Sequence, residues 1–212
     1  MRLSRCPRRL AALTHGVLLF TKWTADGTWA RVSGGLTIEA HEREKKSAQP
    51  TVAILDSQSV KNTTPSTARV GDDAGKHIKG RKRFFLVDTT VHLLVGWVVV
   101  AACHAGATTA RLWDVLPAGN ELLDRLQTVF VDGGFDHRFR LHLARHGVPA
   151  QVPSDIVADN GRFFIHANAG SSSAASAWAA ANRRLAKDYE RKTTHANAWL
   201  YLANIRRLSK RT

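Results

Sequence analysis

The chain has 212 residues, 31 Lys and Arg against 17 Asp and Glu, a formal charge of +14 and two cysteines. That length supports one domain with a sizeable core and excludes a short peptide or a repeat array, while the charge asks for a polyanion, nucleic acid first and an anionic membrane second. Cys6 and Cys103 match no metal or redox spacing, so both are read as unpaired thiols in a reducing cytoplasm.

Residues 1–20 place arginines before an apolar stretch in the manner of an export signal, but no small-residue cleavage site follows before Thr21, Lys22 and Trp23, and export is not expected. Residues 23–32 supply an aromatic-bearing turn around Asp26 and Gly27, residues 36–46 a charged helix, and residues 47–50 a linker. This divides the chain into a truncated N-terminal region, 1–48, and a main domain, 49–212.

In the main domain, residues 51–55 (TVAIL) form a strand ending at Asp56, and the Ser-, Thr- and Asn-rich stretch to Asp73 is expected to be loop. Residues 83–90 and 93–103 read as two strands joined by a hairpin turn at 90–92. The second is the most apolar run and falls well short of the roughly 20 residues of a membrane-spanning helix. Residues 108–126 look helical with a break at 117–119, residues 128–131 form a strand ending at Asp132, and residues 135–145 are helical. From 155 to 181 Ala, Ser and Asn dominate and no apolar face is clear. Residues 183–191 and 196–207 regain helical spacing, with Trp199, Leu202 and Ile205 available for one buried stripe.

Two neighbouring strands that each end in Asp can bring Asp56 and Asp132 together. Carboxylate oxygens from two strand tips suit Mg²⁺ or Mn²⁺, and two such ions can polarise a phosphodiester and activate water or a 3′-hydroxyl. Asp also ends strands simply because it favours turns, so the pair by itself is a weak signal. Asp88, which also ends a strand, reads better as a turn cap than as a third carboxylate. His104, His137 and His142 are read as surface or half-buried histidines without a metal role, and Trp178 and Trp199 as core rather than base-stacking residues.

The local sequences are more specific. Ile54-Leu55-Asp56-Ser57-Gln58-Ser59-Val60-Lys61, Asp73-Ala74-Gly75-Lys76, Ile78-Lys79-Gly80-Arg81-Lys82-Arg83, Leu86-Val87-Asp88-Thr89 and Val131-Asp132-Gly133-Gly134-Phe135 occur in an order and spacing that resemble the catalytic domain of bacterial DDE insertion-sequence transposases of the insertion-sequence-five group. Trp23 to Trp29 resembles the end of that family's N-terminal region, and Arg183 to Arg191 its C-terminal helix. The resemblance implies an α/β fold, an RNase H-like mixed sheet flanked by helices, with Asp56 on the first strand and Asp132 on the fourth as catalytic residues and metal ligands. It further implies two Mg²⁺ or Mn²⁺ ions and cut-and-paste transposition in the cytoplasm, in association with the nucleoid. The partners implied are double-stranded DNA, namely terminal inverted repeats and target DNA, and further copies of the chain in a homo-oligomer. Lys61, Lys76, Lys79, Arg81, Lys82 and Arg83 would contact the DNA backbone, where phosphate contacts position the duplex without reading sequence.

The chain departs from the family where the third ligand belongs. The family's glutamate lies in a motif of the type Arg-Arg-Trp-Val-Val-Glu-Arg, five residues before a Trp; anchored on Trp178 and Arg183, that position here is Ser173, and the arginine four residues earlier becomes Ala169. A neutral hydroxyl binds a hard cation weakly. Glu190, roughly 17 helical positions on at about 1.5 Å each, would lie roughly 25 Å away. Asp72 stands where the family usually has Tyr. Back-translating residues 162–177 with GC-rich codons and reading two bases on yields the missing Val-Val-Glu-Arg, which points to compensating frameshifts across residues 162–182; a shift near residues 15–20 is read in the same way. The expectation is therefore a transposase that has lost its catalytic glutamate. The alternatives are a non-catalytic DNA-binding remnant or regulator of transposition, and an RNase H-like nuclease with a replacement acid at Asp155 or Asp159.

Overall fold

The computed structural model describes residues 7–64, 68–116, 120–135, 137–152 and 169–210, with side chains placed at all of these except 7–13, 105, 106 and 169–174. Six strands in these residues form one mixed sheet: β1 (Val52–Lys61), β2 (Gly71–Asp73), β3 (Ile78–Asp88), β4 (Leu93–Val100), β5 (Thr128–Val131) and β6 (Ala150–Gln151). β1 is central, with β3 antiparallel on one side and β5 parallel on the other. β6 continues in parallel beyond β5, while β4 and the short β2 share the far edge of β3. This is the expected RNase H-like mixed sheet flanked by helices, with the small β2 added, so that Asp132 follows the fourth of the longer strands.

Successive strand residues face opposite sides, and that alternation builds two cores. Ala53, Leu55, Phe84, Leu86, Val129 and Val131 face α3 (Ala105–Asp114) and α4 (His137–Arg145), where Trp113, Phe139 and Leu143 meet them. Ile54, Phe85, Val87 and Leu93 face α5 (Ala169–Ala181) and α6 (Thr193–Ser209) through Ala175, Ala179, Leu200 and Ala203. Gly96 admits α6 closely, since a Cβ there would stand 2.9 Å from Leu200 Cδ1. Among the described residues no helix is long and apolar enough to cross a membrane.

Several elements differ from the sequence expectation. β1 does not stop at Asp56 but runs to Lys61, because β3 offers a continuous ladder from Ala53↔Asp88 to Lys61↔Gly80. Two of its polar residues find internal partners: Ser59 donates to Asp73, and the Gln58 amide donates to the Ser176 carbonyl at 3.4 Å. Residues 7–25 form α1 (Pro7–Ala25), α2 spans Thr28–Arg43, starting earlier than residue 36, and the turn expected over 23–32 narrows to Asp26 and Gly27 between them. α2 is fastened to the main domain by the Asn204 amide, which donates to Ser33 Oγ at 3.0 Å and Thr37 Oγ1 at 3.4 Å. The buried residues of α6 are Ala196, Ala198, Leu200, Ala203, Asn204 and Leu208. Trp199, Leu202 and Ile205 are only half-buried, and Trp199 instead meets Phe20 of α1 at 5.5 Å between ring centroids.

Residues 183–191 are a series of turns rather than a helix. Their carbonyls are taken by two buried arginines of β3: Arg83 donates to Leu185 O and to Lys187 O (3.3 Å), and Arg81 to Glu190 O (2.7 Å) and Arg191 O (3.0 Å). An α-helix over these residues would need the Leu185 and Lys187 carbonyls for its own i→i−4 bonds.

Candidate active site

Asp56 and Asp132 are brought together by backbone pairing. Leu55 and Val131 are partners in the parallel β1–β5 ladder, so Asp56 and Asp132 follow each other directly on adjacent strands. Asp56 therefore lies mid-strand rather than at a strand end, opposite Phe85 on β3. Strand alternation turns it to the face that carries Ile54, the face covered by α5. Asp132 is exposed in the turn after β5, where its Oδ1 accepts from the Gly134 amide at 2.9 Å.

Burial pushes the Asp56 carboxyl above the usual carboxylate range, and the nearby charge of Asp132 adds to the rise; hydrogen bonds from Ser176 and Ser57 oppose it. The Ser57 amide donates to Oδ1 at 2.7 Å, and the hydroxyl of Ser176 on α5 donates to Oδ2. The helix thus presents a neutral hydroxyl to the aspartate. Ser173 and Ala169 lie in the same helix, three and seven residues ahead of Ser176. Among the described residues, no third histidine, cysteine or acidic side chain converges on the two aspartates. Asp155 and Asp159 lie outside the described residues.

Two carboxylates on adjacent strands, one of them pushed toward its protonated form by burial first and by its neighbour's charge second, make a donor set that fits one hard divalent cation. For a second ion the set lacks a carboxylate. Sequence spacing did not reveal Ser176, because only the packing of α5 on β1 sets it against Asp56.

The six basic positions divide. Lys61, Lys76 and Lys79 are exposed, and Lys76 is close enough to Asp56 to lower its pKa. The Lys76 ammonium also reaches Ser57 O at 3.4 Å. Arg81, Lys82 and Arg83 are buried. Arg81 forms an ion pair with Asp188 at 2.8 Å, Lys82 pairs with Asp73 at 3.2 Å, and Arg83 is 2 % exposed between the carbonyls of Leu185 and Lys187. Charge in the sequence marked these three as backbone contacts, whereas the structure engages their cationic groups inside the fold. Asp73, hydrogen-bonded by Ser59 and paired with Lys82, is held at about 2.

Asp88 caps the β3–β4 turn, accepting from the amides of Thr90 and His92, each at 2.8 Å. It also meets His41 of α2, whose Nδ1 stands 3.0 Å from Ala48 O and so carries a proton toward it. Three ladder positions separate it from Asp56 along β1, so it is no third ligand. Glu190 is paired with Arg184, and its separation from Ser173 is not that of one continuous helix, since 183–191 are turns. Trp178 packs on Phe85 with ring centroids 6.0 Å apart, in the core role expected of it. Cys103 is a free thiol, and Cys6 lies outside the described residues.

No curated protein matches this chain. The transposase DDE domain family matches residues 47–198, which takes in β1, β3, β5 and both aspartates. With adjacent Asp56 and Asp132 on an RNase H-like sheet and a match over most of its length, the chain belongs to the DDE transposase domain family.

Proposed function

We propose that this chain is an insertion-sequence transposase whose DNA-strand chemistry is disabled by loss of the third carboxylate. The observation that carries the reading is the contact between Asp56 and Ser176, where α5 offers a hydroxyl rather than an acid. Asp56 and Asp132 would hold a Mg²⁺ or Mn²⁺ ion, which when bound polarises a phosphodiester and activates a water or 3′-hydroxyl. Lys61, Lys76 and Lys79 would hold the duplex backbone at the edge of the sheet, and the exposed Asp132 turn leaves that approach open. Without the glutamate, the second ion and its stabilisation of the leaving oxygen are lost.

The test is nicking of supercoiled DNA carrying the element's ends, with Mg²⁺ or Mn²⁺, by the native chain and by Ser173→Glu and Ser176→Glu. The native chain should not nick, and Ser173→Glu should gain nicking that Asp132→Asn abolishes. Nicking by the native chain that depends on Asp132 would sink the proposal. Gain through Ser176→Glu alone would place the lost glutamate three residues later. A second reading, a DNA-binding remnant that regulates transposition, rests on the exposed lysines; it predicts salt-sensitive DNA binding with no cleavage by either variant. A nuclease would need a replacement acid, and Asp155→Ala and Asp159→Ala in the same assay decide that.

A further inference from the structure

We propose a second metal site, for a borderline transition ion such as Zn²⁺, formed by Asp114 at the end of α3 and by His142 and His146 at the end of α4. His142 lies in α4 and His146 is the first residue after it, in the turn that ends the helix, and the four-residue spacing brings both imidazoles to the same side. Their Nε2 atoms converge on a single oxygen: His142 Nε2 is 2.8 Å and His146 Nε2 3.2 Å from Asp114 Oδ1. The two rings lie 4.9 Å apart between centroids. Zinc–nitrogen and zinc–oxygen bonds of about 2.0–2.2 Å at a tetrahedral angle put ligand atoms about 3.4 Å apart, close to the two nitrogen–oxygen distances, and the three ligand atoms all lie within 4.8 Å of one another.

Donor chemistry separates this site from the one at Asp56. Two imidazoles and a carboxylate select zinc, cobalt, nickel or copper, whereas an all-oxygen pair suits magnesium or manganese. Each neutral ring can carry its proton on Nδ1 and free Nε2 for the ion. The side chains are 25 % (His142), 43 % (His146) and 47 % (Asp114) exposed, so an ion can enter and complete its coordination with water. By contrast His41, Asp88 and His92 also approach one another, but all three are buried, and Asp88 is already engaged by the turn amides and His41. The signal was present in the sequence: His146 follows His142 at helical ligand spacing, and the acid comes from a segment 28 residues earlier that only the α3–α4 packing supplies. The site lies at the far end of α4 from Asp132, roughly 13 Å along the helix. An ion there ties α3 to the helix that follows the Asp132 turn. The role is structural.

The experiment is titration of the full chain with Zn²⁺ alone by calorimetry, repeated with His142→Gln, His146→Gln, His41→Gln and Asp132→Asn, each checked for native circular dichroism. Co²⁺ absorption in the visible serves as a second readout. One ion per chain should bind at micromolar affinity, and each of the first two substitutions should weaken it at least about ten-fold and remove the Co²⁺ bands. His41→Gln and Asp132→Asn should leave both unchanged. Binding that survives His142→Gln and His146→Gln, or that disappears in His41→Gln, or no binding at all, overturns the proposal.

Discussion

Replacing Asp188 by Asn tests the idea that the basic run of β3 is an internal fastening. Asp188 is 2 % exposed and faces Arg81, which is fully buried and also donates to the carbonyls of Ala68, Glu190 and Arg191. Arg83, buried beside it, has its pKa pushed down to about 10 by burial, with Asp188 opposing that fall and Arg81 adding to it. One carboxylate therefore balances two buried guanidinium groups. Removing one partner of a buried ion pair costs about 3–5 kcal/mol, because the remaining charge stays out of water. In a domain of this size each kcal/mol moves the melting temperature by about 2–4 °C, so the expected fall is about 6–20 °C. Thermal melting by circular dichroism, with urea unfolding to check an unchanged slope, measures it. A loss under about 1 kcal/mol would refute the reasoning and return Arg81 and Arg83 to the pool of groups free to meet DNA.

Alanine at Lys61, Lys76 or Lys79 should each lower the slope of log affinity for DNA against log salt by about 0.9 while leaving stability within about 0.5 kcal/mol; anisotropy titrations across salt concentrations read this, and an unchanged slope would remove that lysine from the interface. The Asp88 hydrogen bond raises the His41 pKa above its ordinary value, so that contribution is full below about pH 6.5 and is lost as pH climbs through the raised value. Burial alone would raise Asp88, but bonds from His41 and His92 hold it far below the carboxylate range, so its contribution is present above about pH 4 and lost in acid. Urea midpoints should accordingly be highest between about pH 4 and 6.5, and His41→Gln should flatten the alkaline fall; an identical profile in that variant counts against the pair. Gly80→Ala places a Cβ 1.8 Å from Val60 O, and should cost about 3 kcal/mol or more by prising β1 from β3, whereas Gly133→Ala, with nothing within 4 Å, should melt like the parent.

The parts of the fold legible in the sequence were those whose residues declare themselves by pattern. The apolar runs before Asp132 and around the β3–β4 turn lie where hydrophobicity placed them, because strands buried on both faces need continuous apolar residues. The second half of β1 was hidden because Ser57, Gln58 and Ser59 read as loop; they are tolerated in a central strand only through partners such as Asp73 and Ser176, which are distant in sequence. Burial of Arg81 and Arg83 was equally invisible, since a run of positive charge looks the same whether it meets phosphate or backbone carbonyl. The turns at 183–191 follow from that same unseen fact. Both aspartates were legible because family motifs surround them, and their adjacency follows from β1–β5 register.

That register has a bearing on how such an element decays. Asp56 stands in the main-chain ladder of the sheet and Asp132 directly follows β5, while α5 rests on the sheet through the small side chains of Ala175 and Ala179. Chemistry and architecture are therefore separable debts to the sequence: the helix can be rewritten while the two-aspartate frame persists. On the proposed reading, a copy in this condition would be silenced without being dismantled, and a single restored carboxylate would have a standing scaffold to return to.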